Sequence, residues 1–308
     1  MTDTTKTEAA PAGAAAEPAT TANGEAAIPK ITQWSEIRYR FMQNKLAVAG
    51  LFIVVFLFLI AIFGPYITPH DPYHQDLLQP LQKPSAEHWF GTDDLGRDLF
   101  SRVLAGTRIA MIVGFSSIAL TCVIGVVLGA LAGYFGKFVD TLIMRTADIF
   151  FAFPLLIGAI VIILVVGRGV LPVVISLALF SWATVARLLR SSILSVREMD
   201  YVNAARALGA SNGRIIRKHI LPNSMTAVMV YAAFNIGTAV VAVASLSFLG
   251  VGVSPEVPEW GNMLALGRGF IGVENHLWLF PSFAIVLTVL GFVFVGDGLR
   301  DALDPKLR

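Results

Sequence analysis

Leu46-Ala-Val-Ala-Gly-Leu-Phe-Ile-Val-Val-Phe-Leu-Phe-Leu-Ile-Ala-Ile-Phe-Gly-Pro-Tyr-Ile67 contains no charged residue. At 1.5 Å per residue, a helix of about 20 such residues crosses a hydrocarbon core roughly 30 Å thick. Five more apolar runs follow: Ile109–Phe135, Ile149–Gly167, Val170–Val185, Thr226–Gly252 and Leu277–Val295. The run from Val170 is the shortest and extends toward Leu189, with Arg187 and Arg190 near its end. Asp, Glu, Lys and His are absent from all six runs. A central Lys, Arg or Asp costs about 2.5–3.5 kcal/mol while a Leu returns about 0.3–0.6, so their absence is the pattern of spans rather than of a soluble core. An all-α polytopic membrane protein with six transmembrane helices is predicted.

Composition agrees. Of 308 residues, 56% are hydrophobic and 14% charged, with mean hydropathy +0.71, whereas a soluble domain carries about 25% charge. A net charge of +2 leaves no dense basic face and excludes binding of nucleic acid through its phosphates. The single cysteine, Cys122, excludes an intrachain disulfide and a multi-cysteine metal centre, and its place within Leu120–Leu128 suits a buried thiol.

Residues 1–28 are almost entirely Ala, Thr, Glu, Pro and Gly with no hydrophobic period, which predicts a disordered cytoplasmic tail; no apolar stretch there suits a signal peptide. Over 29–45, Trp34, Ile37, Phe41 and Met42 recur at helical spacing opposite Arg38, Arg40 and Lys45, as in an interfacial helix. The first span is 46–67, an extracytoplasmic loop 68–108, a five-helix core 109–298 with an inner loop over 190–222, and a cytoplasmic C-terminus 299–308. With the tail inside, 17 of the 23 Lys and Arg residues lie on the inner side, which places both termini in the cytoplasm.

The long inner loop reads Asp200-Tyr-Val-Asn-Ala-Ala-Arg-Ala-Leu-Gly209-Ala-Ser-Asn-Gly-Arg-Ile-Ile-Arg-Lys-His-Ile-Leu-Pro222. Ala204 to Leu208 favour helix, Gly209 suits the left-handed position that ends one, Ser211 can cap the next, and Pro222 stops or redirects the chain. A small-residue helix with basic neighbours is a docking surface. This loop resembles the hallmark of the permease subunits of ATP-binding-cassette importers: Glu-Ala-Ala, three residues, Gly, nine residues, Ile, one residue, Leu-Pro. Ala204, Ala205, Gly209, Leu221 and Pro222 match, while the Glu position is Asn203 and the Ile position His219. The resemblance implies a MetI-like permease fold and a coupling helix that inserts into a groove of an ATPase subunit. Asn203, Ala204, Ala205, Gly209, Leu221 and Pro222 are its coupling residues.

Two outer segments and the end of the chain narrow the resemblance. Phe90-Gly-Thr-Asp followed by Gly96-Arg-Asp98, the segment Leu246-Ser-Phe-Leu-Gly-Val-Gly-Val-Ser-Pro255 with Pro258-Glu-Trp-Gly-Asn-Met263, and Gly296-Asp-Gly-Leu-Arg-Asp-Ala-Leu-Asp-Pro305 look like the C-type permease of dipeptide and oligopeptide importers. Physically, Thr92, Asp93 and Asp94 suit a helix start, with Leu99, Phe100, Val103 and Leu104 on one apolar face leading into the second span. Asp93, Asp94 and Asp98 lack the Asp-x-Asp-x-Asp-Gly loop and distal Glu of a calcium site, so no metal is expected. Trp260 reads as an anchor at the membrane interface.

The chain carries no phosphate-binding loop and no hydrolase motif, so it is not expected to be an enzyme. Ion-coupled carriers usually keep ionisable groups or broken helices near the bilayer midplane, and the absence of acids and His from these spans argues against a proton-driven mechanism. The fifth span mixes small and polar residues, and Asn235, Thr238 and Ser245 are candidates for a translocation path. The resemblance implies a multi-pass subunit of the plasma (bacterial inner) membrane, in contact with lipid. Its partners would be a second, B-type permease, two ATPase subunits that bind ATP and Mg, and an extracytoplasmic solute-binding protein. No cofactor is expected on this chain. Nickel-chelate or glutathione permeases are the nearby alternatives to a peptide permease, and an ion-coupled carrier or channel is the distant one.

Overall fold

The computed structural model describes residues 33–303; the segments 1–32 and 304–308, and the side chains of Gln33 and Trp34, lie outside the described residues, and the expectation for a tail over 1–28 falls there. Helices dominate, and the described residues form no β-sheet beyond an isolated bridge between Thr92 and Asp98.

Helix α1 spans Gln33–Gln43 and packs on the far end of the chain, where Phe41 meets Gly298. Asn44 breaks it and starts α2, Lys45–Ile67, by accepting the N–H groups of Leu46 and Ala47 at 3.0 and 3.2 Å. These two bonds satisfy donors that a helix start otherwise leaves open. Helix α3 runs from Leu99 to Phe135, with Asp98 capping through a bond from Ser101 N–H. At 37 residues it is about 55 Å long by its rise of 1.5 Å per residue. The span expected from Ile109 therefore begins ten residues earlier, within the expected outer loop. Thr92, Asp93 and Asp94 do not start this helix; Asp98 does, because the turn at Gly96 reverses the chain first.

The third run differs from its expectation as one span over Ile149–Gly167. Helix α4, Lys137–Ala152, and helix α5, Leu155–Val166, meet at 89°. Pro154 has no N–H to donate and pushes Phe153 to extended dihedrals, φ −96° and ψ 129°, so the helix cannot continue. Helix α6, Val170–Val196, is longer than its apolar run because Arg187 and Arg190 pair with Asp148 and Asp140 of α4. Among the described residues, five helices are long and apolar enough to cross a membrane, and the bent α4–α5 pair is the sixth candidate.

After α6 come α7 (Asp200–Ala207), α8 (Asn212–Ile215), a π-helical turn Ile216–Ile220, and α9 (Leu221–Ser224). Helix α10 is Thr226–Phe248, α11 is Trp260–Gly267, and α12 is His276–Leu303. The most extensive pairing is α3 with α6, and α12 packs on both α2 and α10. Small residues permit the close approach: a Cβ at Gly129 would lie 2.7 Å from the carbonyl oxygen of Ala186. Large apolar side chains remain exposed along α2, α5 and α12, including Phe52, Phe56, Leu164, Val165 and Phe283, as a surface facing lipid or other subunits does.

The loop from Thr68 to Asp98 folds on its own signature residues. Asp93 accepts from Arg97 Nε at 2.7 Å with both side chains buried, and fully buried Arg102 donates to the carbonyl of Pro72 at 2.9 Å. Gly96, at φ +72°, faces the carbonyl of Asp76, where a Cβ would lie 1.9 Å away. Trp260 is not an interface anchor: it is 1% exposed inside the bundle.

Candidate functional site

The segment between α6 and α10 forms a helical hairpin pinned from beneath. Val202 of α7, Ile215 and Ile220 are fully buried against Leu189 and Ile193 of α6 and Val228 of α10. Tyr134 at the end of α3 donates its hydroxyl to Asn212 Oδ1 at 2.8 Å, and Arg197 donates to the carbonyl of Gly133 at 3.0 Å. Apolar spacing in the loop thus serves anchoring, and the remaining faces point outward.

The turn follows from Gly209. Its φ of +78° is left-handed, and the N–H groups of Gly209 and Ala210 return to the carbonyls of Arg206 and Ala205 at 3.0 and 3.1 Å. These two bonds are the Schellman pairing that satisfies the carbonyls at a helix end. A Cβ at Gly209 would meet nothing within 4 Å, so the position requires glycine for its dihedral and not for space. Ser211 occupies the next N-cap by its backbone but makes no side-chain cap bond. Pro222 does not end the helical course. The π turn over Ile216–Ile220 widens the backbone just before it, which accommodates a ring that would otherwise clash with the carbonyl four residues back.

Of the expected coupling residues, Asn203, Ala204, Gly209 and Pro222 are exposed, while Ala205 and Leu221 are half-buried. Asn203 is held within the loop: its amide donates to the carbonyl of Glu198 at 3.3 Å, and its Oδ1 accepts from Arg206 at 3.0 Å. Beside them Leu208 stands 88% exposed at the apex, an apolar knob between Ala207 and Gly209 that motif reading passed over.

A cavity of about 320 Å³ opens where the α4–α5 break meets α6 and α10. Phe150 and Phe153 line it from the break, Ser181 and Thr184 from α6, and Asn235 and Thr238 from α10. Its walls are aromatic and hydroxyl-bearing, and the only ionisable lining group is Tyr231. Asn235 donates its amide to the carbonyl of Tyr231 at 2.8 Å and keeps its oxygen available. Ser245 is not part of this cavity. Ten residues beyond Asn235, it sits roughly a quarter turn around the helix at about 100° per residue. It lines a separate groove with Phe248 and Ser282 instead, and its hydroxyl donates to the carbonyl of Val241 at 2.8 Å. Phe150, Phe153, Ser181 and Thr184 were missed; Pro154 inside an apolar run was the available signal for the first two.

Hairpin and cavity share their supports. Helix α6 carries Leu189 and Ile193 under the hairpin and Ser181 and Thr184 on the cavity, and α10 carries Val228 and then Asn235 and Thr238 in the same way. The two sites are thus joined by continuous helices.

Residues 125–308 match the protein family described as binding-protein-dependent transport system inner membrane component, and residues 32–84 match the N-terminal TM domain of oligopeptide transport permease C. The chain is 45% identical over 278 residues to the dipeptide transport system permease protein DppC of Alkalihalophilus pseudofirmus, covering 90% of this chain and 91% of that one. It is 40% identical over 282 residues to DppC of Bacillus subtilis, covering 91% and 88%. It is 43% identical over 278 residues to the glutathione transport system permease protein GsiD of Pectobacterium atrosepticum, covering 90% and 92%. Among solved structures, inward-facing conformations of the MetNI methionine ABC transporter share the fold with a TM-score of 0.55 at 21% identity, over 66% of this chain and 97% of that one.

Proposed function

The chain belongs to the family of binding-protein-dependent transport system inner membrane components, and from that membership we propose that it is the permease subunit through which an ATP-binding-cassette importer carries dipeptides or short oligopeptides across the plasma membrane. Its likeness over nine-tenths of its length to two dipeptide permeases supports the cargo. The observation that carries the mechanism is the hairpin of α7–α9, whose buried side rests on the same two helices that wall the cavity.

The exposed side of α7, with Asn203, Ala204 and Ala205, and the turn at Gly209 form the surface received by an ATPase subunit; Leu221 and Pro222 connect it to α10. Leu208 adds an apolar contact at the apex. Small side chains let the partner's walls approach closely, and Arg206, Arg214 and Arg217 offer cations to its acidic residues. Closure of two ATPases on ATP and Mg displaces the hairpin, α6 and α10 follow, and the cavity opens outward; hydrolysis on the partners resets it. The chain is not itself an enzyme. Permease subunits of such importers bind no cofactor for the energy-yielding step.

A second, B-type permease completes the path, and an extracytoplasmic solute-binding protein delivers substrate at the end formed by residues 68–98 and 249–275. Both termini lie in the cytoplasm, on the side richer in Lys and Arg. Asn235, Thr238, Ser181 and Thr184 offer hydrogen bonds that any peptide backbone can use, while the phenyl rings accept apolar side chains without charge selection. Ser245, in the groove beside α12, lies outside this path. Glutathione is the second reading, favoured by the likeness to a glutathione permease.

The test is ATP-dependent uptake in proteoliposomes holding all partners, with a labelled dipeptide and labelled glutathione presented separately. Dipeptide uptake that requires both ATP and the ATPases is expected. Uptake without ATP overturns the importer reading, and uptake of glutathione alone overturns the cargo.

A further inference from the structure

The loop between α2 and α3 brings His70, His88 and Asp98 together from its beginning, middle and end. One ligand atom of each lies within 4.8 Å of the other two. His88 Nδ1 is 2.9 Å from Asp98 Oδ1, with side chains 12% and 1% exposed, and the two imidazoles stand 4.7 Å apart between centroids.

His70 and Asp98 are already oriented by outer partners that metal binding would leave in place. His70 Nε2 lies 3.0 Å from the carbonyl of Glu87. A carbonyl only accepts, so Nε2 carries the proton and Nδ1 the free lone pair. The His70 backbone N–H is tied to Ser101 Oγ at 3.2 Å, on the first turn of α3. Asp98 uses Oδ2 to accept the N–H of Ser101 at 2.8 Å, which leaves Oδ1 for a second partner. Histidine ligands in metal centres are held in this manner, by a second hydrogen bond from the other ring nitrogen to a carbonyl or carboxylate.

We propose that His70, His88 and Asp98 bind a divalent transition-metal ion of the zinc type, which staples the outer loop to the start of α3. Two imidazoles and one carboxylate suit zinc, whereas magnesium and calcium take sets of oxygen ligands. Zinc bonds of about 2.0–2.2 Å in tetrahedral geometry hold ligand atoms about 3.3–3.6 Å apart, so the site closes around the ion by little more than a side-chain adjustment of partly exposed His70. The ion takes the place of the proton between His88 Nδ1 and Asp98; through water that proton is exchanged for one on His88 Nε2, so the ring binds as neutral imidazole through Nδ1, and a water molecule fills the fourth position. The loop from Thr68 to Asp98 contains no helix, so a clip at three of its points adds a cross-link to the turns and the Asp93–Arg97 pair that already hold it.

The test uses tag-free full-length protein in detergent, equilibrated with Zn²⁺ and then dialysed. Bound metal is measured by mass spectrometry and thermal unfolding is followed with and without EDTA. One zinc per chain and a rise in melting temperature that EDTA reverses are expected, with no rise in Mg²⁺ at the same concentration. His70→Ala should lose the bound zinc and the rise while keeping the zinc-free melting temperature, and His74→Ala, altering an exposed histidine of the same loop, should keep both. No stoichiometric zinc in the wild type, or equal zinc in His70→Ala, overturns the site. X-ray absorption at the zinc edge of the wild type tests it independently of any variant: a shell of two imidazole nitrogens with oxygen is expected, and a shell without imidazole overturns it.

Discussion

The indole N–H of Trp260 donates to the main-chain carbonyl of Val103 at 3.0 Å, joining α11 to the first turns of α3 across 157 residues of sequence. Gly106 makes room for it, since a Cβ there would lie 2.7 Å from the indole nitrogen. Trp260→Phe keeps most of the buried ring and removes the bond, which should cost about 0.5–1.5 kcal/mol. Gly106→Ala forces the indole away and should cost about 1–3 kcal/mol as overpacking. Thermal unfolding in detergent reads both; a stability equal to wild type in Gly106→Ala would show that the indole does not need the space at Gly106.

Gly209→Val places a β-branched residue at φ +78°, where non-glycine residues are strained by roughly 1–2 kcal/mol and β-branched ones most of all. The open space around the position means that the damage is confined to the turn. The variant should insert and fold as wild type does, yet co-purify with less ATPase and lose most ATP-driven uptake. Gly209→Asn, which tolerates the left-handed region, should recover part of both. Undiminished ATPase binding in the valine variant would refute the coupling role.

Replacing Pro154 with Ala restores a backbone donor and lifts a helix penalty of about 3 kcal/mol, which favours joining α4 to α5. Straightening the 89° bend withdraws Phe153 from the cavity. Uptake should fall several-fold with ATPase content unchanged. Spin labels on α4 and α5 should report a longer end-to-end distance. Full uptake with a straightened pair would show that the bend does not shape the path.

Glu259 caps α11 by accepting the N–H groups of Gly261 and Asn262 at 2.9 and 3.0 Å, and it is 3% exposed. Burial raises its carboxyl pKa above the ordinary 4.5, outweighing those bonds, which pull it down. The folded chain therefore holds this proton more tightly than the unfolded chain does, and the associated stability is lost as pH rises from 4.5 through the folded value. The melting temperature of Glu259→Gln, which keeps an acceptor without a charge, should lack this downward component. Superimposable pH profiles for the two proteins would contradict it.

Much of the architecture was legible in local pattern. Apolar runs free of charge reveal spans because the bilayer penalises each residue one at a time, and Gly209 reveals its turn because a left-handed dihedral is a property of one residue. Pro154 was equally legible and carried the break that divides the third run. Other features depended on distance in sequence. Arg187 and Arg190 extend α6 beyond its apolar run because Asp148 and Asp140 stand opposite them on α4. Asn235 and Ser245 look alike as polar residues in one span, yet neighbouring helices place the first on the cavity and the second in a groove beside α12.

Composition and spacing alone settled that this chain is helical, that it belongs in a bilayer, and that it carries no nucleotide-binding loop. These are sums or short-range properties, readable without knowing what touches what. Tertiary structure alone decided that Trp260 is interior, that Asp93 and Arg97 close their own loop, and that His70, His88 and Asp98 meet. A contact between distant residues depends on how every intervening element packs, and no single residue's preference contains that information.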